Sequence, residues 1–165
     1  MRLATSTPNF SVVVPTDCNA SCSFCYWKPG KALDENKFIE RLEETLELLP
    51  DEFQECSITG AEPTKMIKLL SVLKVCRERF KKVVLTTNGY FQFSPPSEVT
   101  EYIDHLNISR HHFYDVENYR IFNTQTVPDF SKLQTICCTA NSNGVDVTLN
   151  CVLSPDCDDP DWIKK

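Results

Sequence analysis

The stretch from Phe10 to Trp27, FSVVVPTDCNASCSFCYW, decides how the rest of the chain is read. Phe10 to Val14 is a short β-branched run, the composition of a strand. It runs straight into Pro15 and then into Cys18, Cys22 and Cys25, spaced C-x3-C-x2-C. Three thiols thus sit on one loop that leaves a strand. Three thiolates held this way can each take one iron of a cubane cluster, and the fourth iron is left open to a substrate or cofactor. Two other uses of the same thiols fit the spacing less well. A tetrahedral zinc site normally has four protein ligands and has to recruit His105, His111, His112 or a distant cysteine. A redox pair made of Cys22 and Cys25 leaves Cys18 without a purpose. Phe24, Tyr26 and Trp27 either pack in the core or shield the thiols from water, which tunes the potential of a cluster.

Outward from this stretch the pattern alternates. Asp34 can N-cap a helix whose apolar positions are Phe38, Leu42, Leu46 and Leu49, and Pro50 stops it. Glu55 to Thr59 reads as a second strand ending at Gly60. Thr64 can cap a second helix carrying Leu69, Leu73, Cys76 and Phe80 on one face. Val83 to Thr87 is a third strand closed by Asn88-Gly89, a turn signal. A short helix is expected near Glu98 to Ile103, a fourth strand over His105 to Ser109, and helical character over Asp115 to Asn123 and Asp129 to Ala140. Val145 to Leu153 is a fifth strand. Asp159-Pro160 looks like the start of a fifth helix from about Asp161. Strand and helix repeated five times argues an α/β fold: a parallel sheet with outer helices, arranged as a partial (β/α) barrel. A complete eight-unit barrel takes about 250 residues, so residues 1–165 are expected to form one incomplete or truncated barrel domain.

Polar residues gather at the C-terminal ends of these strands, the edge where parallel α/β folds place their sites. The cysteine loop follows the first strand and Gly60-Ala61-Glu62-Pro63 the second. Thr86-Thr87-Asn88 closes the third, Ser109-Arg110-His111-His112 the fourth, and Asn150 lies in the fifth.

Bulk properties narrow the class. A net charge of −6 argues against broad binding to a phosphate backbone, which needs clustered Lys and Arg. No apolar run approaches a membrane span, and Met1 to Phe10 lacks the apolar core of a signal peptide, so a cytoplasmic protein is expected. Nine cysteines, an odd count, do not suit a closed disulfide framework. Scattered thiols in a reducing compartment are more often small core residues, and clustered ones metal ligands.

With these residues in hand the chain resembles the radical S-adenosylmethionine (SAM) superfamily. The spacing of Cys18, Cys22 and Cys25, with aromatic Phe24 just before the third cysteine, matches the family signature, and it stands at the family's usual place after the first strand. The pattern Cys-Asn-x-x-Cys-x-Phe-Cys-Tyr-Trp lies nearest to the branch holding the molybdenum-cofactor cyclisation enzyme and the peptide-modifying maturases. Gly60-Ala61-Glu62-Pro63 looks like the family's Gly-Gly-Glu-Pro motif, whose backbone and acidic side chain hold the SAM amino group. Ala61 departs from that pattern, and its methyl group matters if the backbone there needs φ > 0. Thr87 and Asn88 resemble the family's third-strand ending near the methionyl part of SAM, Ser109 a fourth-strand serine, and Asn150 a fifth-strand polar position.

The resemblance implies a [4Fe–4S] cluster and SAM as cofactors, with Cys18, Cys22 and Cys25 as ligands. It implies reductive cleavage of SAM, and a 5′-deoxyadenosyl radical that abstracts hydrogen from a peptide, nucleotide or small metabolite. It further implies a reductant such as flavodoxin or ferredoxin. Outside the motif, Arg110, His111 and His112 read as a polar loop or as a site for an anionic substrate. Tyr114, Asp115, Glu117 and Asn118 read as an exposed helix start. Cys151 reads as packing, Cys157 as a loop thiol and Trp162 as a core contact. The competing function is a non-catalytic cluster- or zinc-binding fragment or accessory protein. It would need a partner to cover the sheet edge left open after the fifth strand.

Overall fold

The computed structural model describes residues 8–27 and 34–152. Five strands form one all-parallel sheet in the order β1-β2-β3-β4-β5, each beside its predecessor. They are β1 (Asn9–Val14), β2 (Glu55–Gly60), β3 (Lys82–Thr87), β4 (His105–Ser109) and β5 (Asp146–Asn150). The connecting helices are α1 (Glu35–Glu47), α2 (Leu69–Arg79), α3 (Pro96–Val99), α4 (Asp115–Phe122) and α5 (Phe130–Ser142). This is the expected α/β partial barrel.

The period-two pattern of the strands makes the sheet two-faced. Val12 and Val14, Cys56 and Ile58, Val83 and Leu85, and Leu106 and Ile108 are buried and form one core with Leu42, Leu46, Leu69, Val72, Leu73, Leu133, Ile136 and Ala140 of the helices. The alternate positions are only partly covered and mostly polar: Ser57, Thr59, Thr86, Asn107 and Ser109, beside Val13 and Val84. Thr86 pairs in register with Asn107, Asn107 with Thr148, and Ser109 with Asn150. A polar row therefore crosses three strands on the face away from the main core.

Helix termini follow the sequence in part. Asp34 caps α1 by accepting from Asn36 N at 2.8 Å, and Asp129 caps α5 by accepting from Lys132 N at 2.8 Å. Arg77 of α2 pairs with Asp104 at 2.6 Å, and the same carboxylate accepts from Val83 N at 2.7 Å, joining helix and sheet at the end away from the cysteines.

Several expectations need correction. Thr64 does not cap α2. The chain makes a 3₁₀ turn over Pro63–Lys65, capped by the Glu62 side chain, before α2 starts five residues later without a side-chain cap. The proline fixes φ for the tight turn, and Thr64 is drawn inside it. The expected helix at Glu98 to Ile103 is a single turn, Pro96–Val99, because Pro95-Pro96 starts it early. β5 ends at Asn150, and Cys151 beyond it is exposed rather than packed. Leu153, Cys157 and the fifth helix with Asp159, Pro160 and Trp162 lie outside the described residues.

The segment after β4 is buried, not a solvated loop. Arg110, His111 and His112 are 7%, 4% and 6% exposed. Arg110 has its charge met internally, by Asp115 at 2.7 Å and the carbonyl of Phe113 at 2.6 Å, so it is not free for an anionic substrate. Asn118 is buried too, and its Oδ1 accepts from the backbone N–H groups of His111 and His112 at 2.9 and 3.3 Å. It splints the segment where an exposed helix residue was expected. His111 lies between Phe24 and Phe122, with ring centroids at 4.9 and 4.6 Å, and its Nδ1 accepts from Val152 N at 3.2 Å.

Two outcomes follow. Gly60 has φ +135°, and a Cβ there would stand 2.8 Å from the carbonyl oxygen of Val14 on β1. Gly60→Ala is expected to lower unfolding free energy by about 1–3 kcal/mol in urea titration, from left-handed strain plus a backbone clash; an unchanged midpoint would contradict this. Burial lowers the pKa of His111 from its ordinary value to about 4. A histidine held neutral in the fold binds fewer protons than in the unfolded chain. Its contribution is complete above the unfolded value near 6.5 and is lost as pH falls towards 4, by at most about 3 kcal/mol. His111→Gln keeps an acceptor for Val152 and is expected to flatten the pH dependence of the urea midpoint between pH 6.5 and 4. Equal slopes in the two proteins would count against it.

Candidate functional site

The C-terminal ends of β1 to β4 bring together the cysteine loop, the Gly60–Lys65 turn, Thr87-Asn88 and the Ser109–His112 segment. The cysteine loop is shaped by its own backbone: Cys25 N donates to Cys22 O at 3.1 Å, which fixes the x2 spacing in a turn. Ser21 N donates to Phe122 O at 2.9 Å, anchoring the loop on the end of α4. At its base Asp17 pairs with Lys65 of the 3₁₀ turn at 2.6 Å. Cys18 and Cys22 are half-buried and Cys25 is exposed. Phe24 packs edge-on against His111, where it is half-buried. Tyr26 is 89% exposed. Trp27 is half-buried, and its indole N–H has no hydrogen-bond partner among the described residues.

Burial raises the pKa of the Cys18 thiol. The Ala20 N–H, 3.3 Å from its sulfur, opposes that shift, while Glu62 and Cys25 add to it. Burial, followed by the neighbouring thiols Cys25 and Cys18, pushes Cys22 up to about 11. Burial therefore favours the protonated thiols at Cys18 and Cys22, although Lys65 pulls Cys18 the other way, and binding a metal would release those protons. Among the described residues no three His, Cys, Asp or Glu side chains converge closely enough to share one metal ion. A cubane asks for a different arrangement, one thiolate at each of three separate irons. An all-sulfur set of three donors on one strand-end loop fits that group.

Glu62 is the best-determined residue of the site. It is 1% exposed. Its Oε1 accepts from Thr64 N at 2.9 Å, Thr64 Oγ1 at 2.6 Å and Thr87 Oγ1 at 2.5 Å, and its Oε2 accepts from Asn88 N at 2.7 Å. Burial raises its pKa, and the four donors pull it back. Each hydroxyl also accepts in turn, Thr64 from Phe91 N at 3.0 Å and Thr87 from Gly89 N at 2.9 Å, so the network runs in one direction. Thr87 thus faces Glu62 rather than the open polar face. Among the described residues Ala61 is not in the left-handed region, which at this turn belongs to Gly60 alone. The methyl group is accommodated without strain.

Ser109 and Asn150 are brought together as register partners at the sheet end, with Asn150 exposed. Thr86 and Asn107, whose side chains approach within 3.5 Å, share their face. Asn107 was missed in the sequence, although the alternation in His105–Ser109 marks it. Asn118, read in the sequence as part of an exposed helix start, is buried because its side chain turns back onto the backbone of His111 and His112. Among the described residues, four further thiols lie away from the loop. Cys56 and Cys76 are buried together in the core and share a hydrogen bond, which with burial raises the Cys76 pKa. Cys137 packs partly against the core and Cys138 is exposed.

No protein-family model and no curated protein sequence matches the chain. Solved structures do. SuiB of Streptococcus suis bound to S-adenosylmethionine superposes with a TM-score of 0.68 at 19% identity, over 94% of this chain and 36% of SuiB. AnSMEcpe with bound AdoMet gives 0.61 at 18% identity, over 87% of this chain and 43% of the other. Methylornithine synthase (PylB) gives 0.60 at 16%, over 87% and 44%. The chain spans less than half the length of these proteins. Among its described residues no helix is long and apolar enough to cross a membrane. At these identities the likeness is one of fold, and the fold is shared with proteins solved in complex with SAM.

Proposed function

We propose that this chain is the SAM-binding core of a radical-SAM enzyme, with Cys18, Cys22 and Cys25 as ligands of a [4Fe–4S] cluster. The observation that carries the reading is the three-cysteine loop at the C-terminal end of β1, in a fold shared with SAM-bound SuiB and anSMEcpe. The cluster, when bound, supplies the electron that cleaves SAM to the 5′-deoxyadenosyl radical. The chain's own residues position and shield. Phe24, packed on His111 and one residue before Cys25, would shield the cluster from water. The half-buried backbone of Gly60 and Ala61 is the accessible part of the motif and would receive the SAM ammonium, while Glu62 braces it from beneath. Ser109 and Asn150, with Thr86 and Asn107 on the same face, offer polar groups to the rest of the cofactor or to substrate. An external reductant such as flavodoxin or ferredoxin would deliver the electron. SuiB has also been solved with the precursor peptide SuiA, at a TM-score of 0.72 and 19% identity over 94% of this chain and 35% of SuiB. A peptide is therefore the first substrate class to test.

Anaerobic reconstitution is expected to give about four irons and four sulfides per chain. Reduction in the presence of SAM is expected to yield 5′-deoxyadenosine. Replacing all three cysteines by alanine should abolish both; one zinc per chain without sulfide would overturn the reading. The bracing role of Glu62 is separable. Glu62→Gln puts an amide N–H against one of the converging donors and is expected to lower unfolding free energy of the iron-free, SAM-free protein by about 1–3 kcal/mol. A residue serving only as an ammonium contact would leave that value unchanged.

A further inference from the structure

The residue after the first cysteine does more than continue the loop. The side-chain amide of Asn19 is used at both ends. Its Oδ1 accepts from Asn88 Nδ2 at 2.8 Å, and its Nδ2 donates to Thr126 Oγ1 at 2.7 Å. Asn88 is itself held, its backbone N–H on Glu62 and its Oδ1 accepting from Tyr90 N at 3.1 Å. Thr126 is held as well, its hydroxyl 2.9 Å from that of Thr124 and its backbone N–H on the same Thr124 oxygen at 3.2 Å. Both anchors of Asn19 are therefore fixed in orientation, and they belong to different parts of the fold. One is the end of β3. The other is the connection between α4 and α5, which starts at Asn123 with φ +51°. The Cys18 sulfur lies 4.0 Å from Asn88 Nδ2 and 4.0 Å from Asn19 Oδ1, beside this bridge.

We infer that Asn19 is a positioning residue for Cys18, and that the α4–α5 connection, through Thr126, is a bracket that holds the cysteine loop against the end of β3. The backbone bond from Ser21 to Phe122 is the second pin of the same bracket. The Ala20 N–H at 3.3 Å and the Asp17–Lys65 pair hold Cys18 from within its own loop, and the Asn19 amide ties that loop to the end of β3 and to the α4–α5 connection. The importance of Cys18 as a cluster ligand rests on the function proposed above; the bracket itself does not.

The test uses the iron-free full chain. Cysteine alkylation by iodoacetamide is timed residue by residue by peptide mass spectrometry in the parent, Asn19→Ala, Asn19→Asp and Thr126→Val. Losing a side-chain link on each side frees the loop, so Cys18 in Asn19→Ala is expected to react about five-fold faster. Cys25, already exposed, and Cys56 and Cys76, in the core, should keep their parent rates. Thr126→Val removes one link and should give a smaller rise at Cys18. Aspartate at position 19 still accepts from Asn88 and can accept from the Thr126 hydroxyl, so Asn19→Asp should return the rate to within about two-fold of the parent. An unchanged Cys18 rate in Asn19→Ala would overturn the inference. So would an Asn19→Asp rate equal to that of Asn19→Ala, or a rise shared by Cys56 and Cys76, which reports general loosening. A parent chain that takes up no iron would sink the cluster reading and leave these rates as informative as before.

Discussion

A buried carboxylate organises the C-terminal edge of this sheet. An ionised group removed from water is costly unless donors converge on it, and Glu62 collects four, from Thr64, Thr87 and Asn88. Those donors come from the 3₁₀ turn and from the end of β3, so satisfying one charge fixes two neighbouring strand ends relative to each other. Asn88 then passes the constraint to Asn19 and the cysteine loop. The loop that carries the thiols is thus held by a chain of hydrogen bonds that starts inside the motif of the second strand. Removing a partner from such a network leaves buried groups unmet, and the cost exceeds what one hydrogen bond returns when made.

The second constraint is the two-faced sheet. One face is apolar and closes on the helices. The other carries Ser57, Thr59, Thr86, Asn107 and Ser109, which gain nothing from a hydrophobic core and are only partly covered. In a parallel sheet all C-terminal ends lie at the same edge, so this polar face and the cysteine loop meet there. The arrangement sets three thiols beside polar side chains, the combination that the proposed iron–sulfur cluster and SAM would require.

Burial then redistributed the roles of individual side chains. Glu62 and Thr87, which the resemblance places near SAM, bond to each other. Arg110, at the head of the Arg-His-His row, is paired with Asp115. His111 is kept neutral by burial and becomes part of the wall around Phe24. These residues act through the shape they impose, and the backbone of Gly60 and Ala61 together with Ser109 and Asn150 is left accessible.

Strand and helix order, the parallel sheet and the cap at Asp34 were legible in the sequence, because period-two and period-3.6 patterns and cap chemistry are local properties. The cysteine spacing was legible for the same reason: a loop of that length cannot separate its thiols widely. Where α2 begins was not, since the Pro63 turn takes its cap from a side chain whose other bonds come from β3. Nor was the burial of Arg110, His111, His112 and Asn118. A row of polar residues reads as solvated until distant partners such as Asp115, Phe24 and Val152 are seen to enclose it. The sequence by itself determined which chemistry the chain can hold. Only the tertiary structure decided which polar groups remain available for it, because hydrogen bonds between residues far apart in the chain consume some and leave others open.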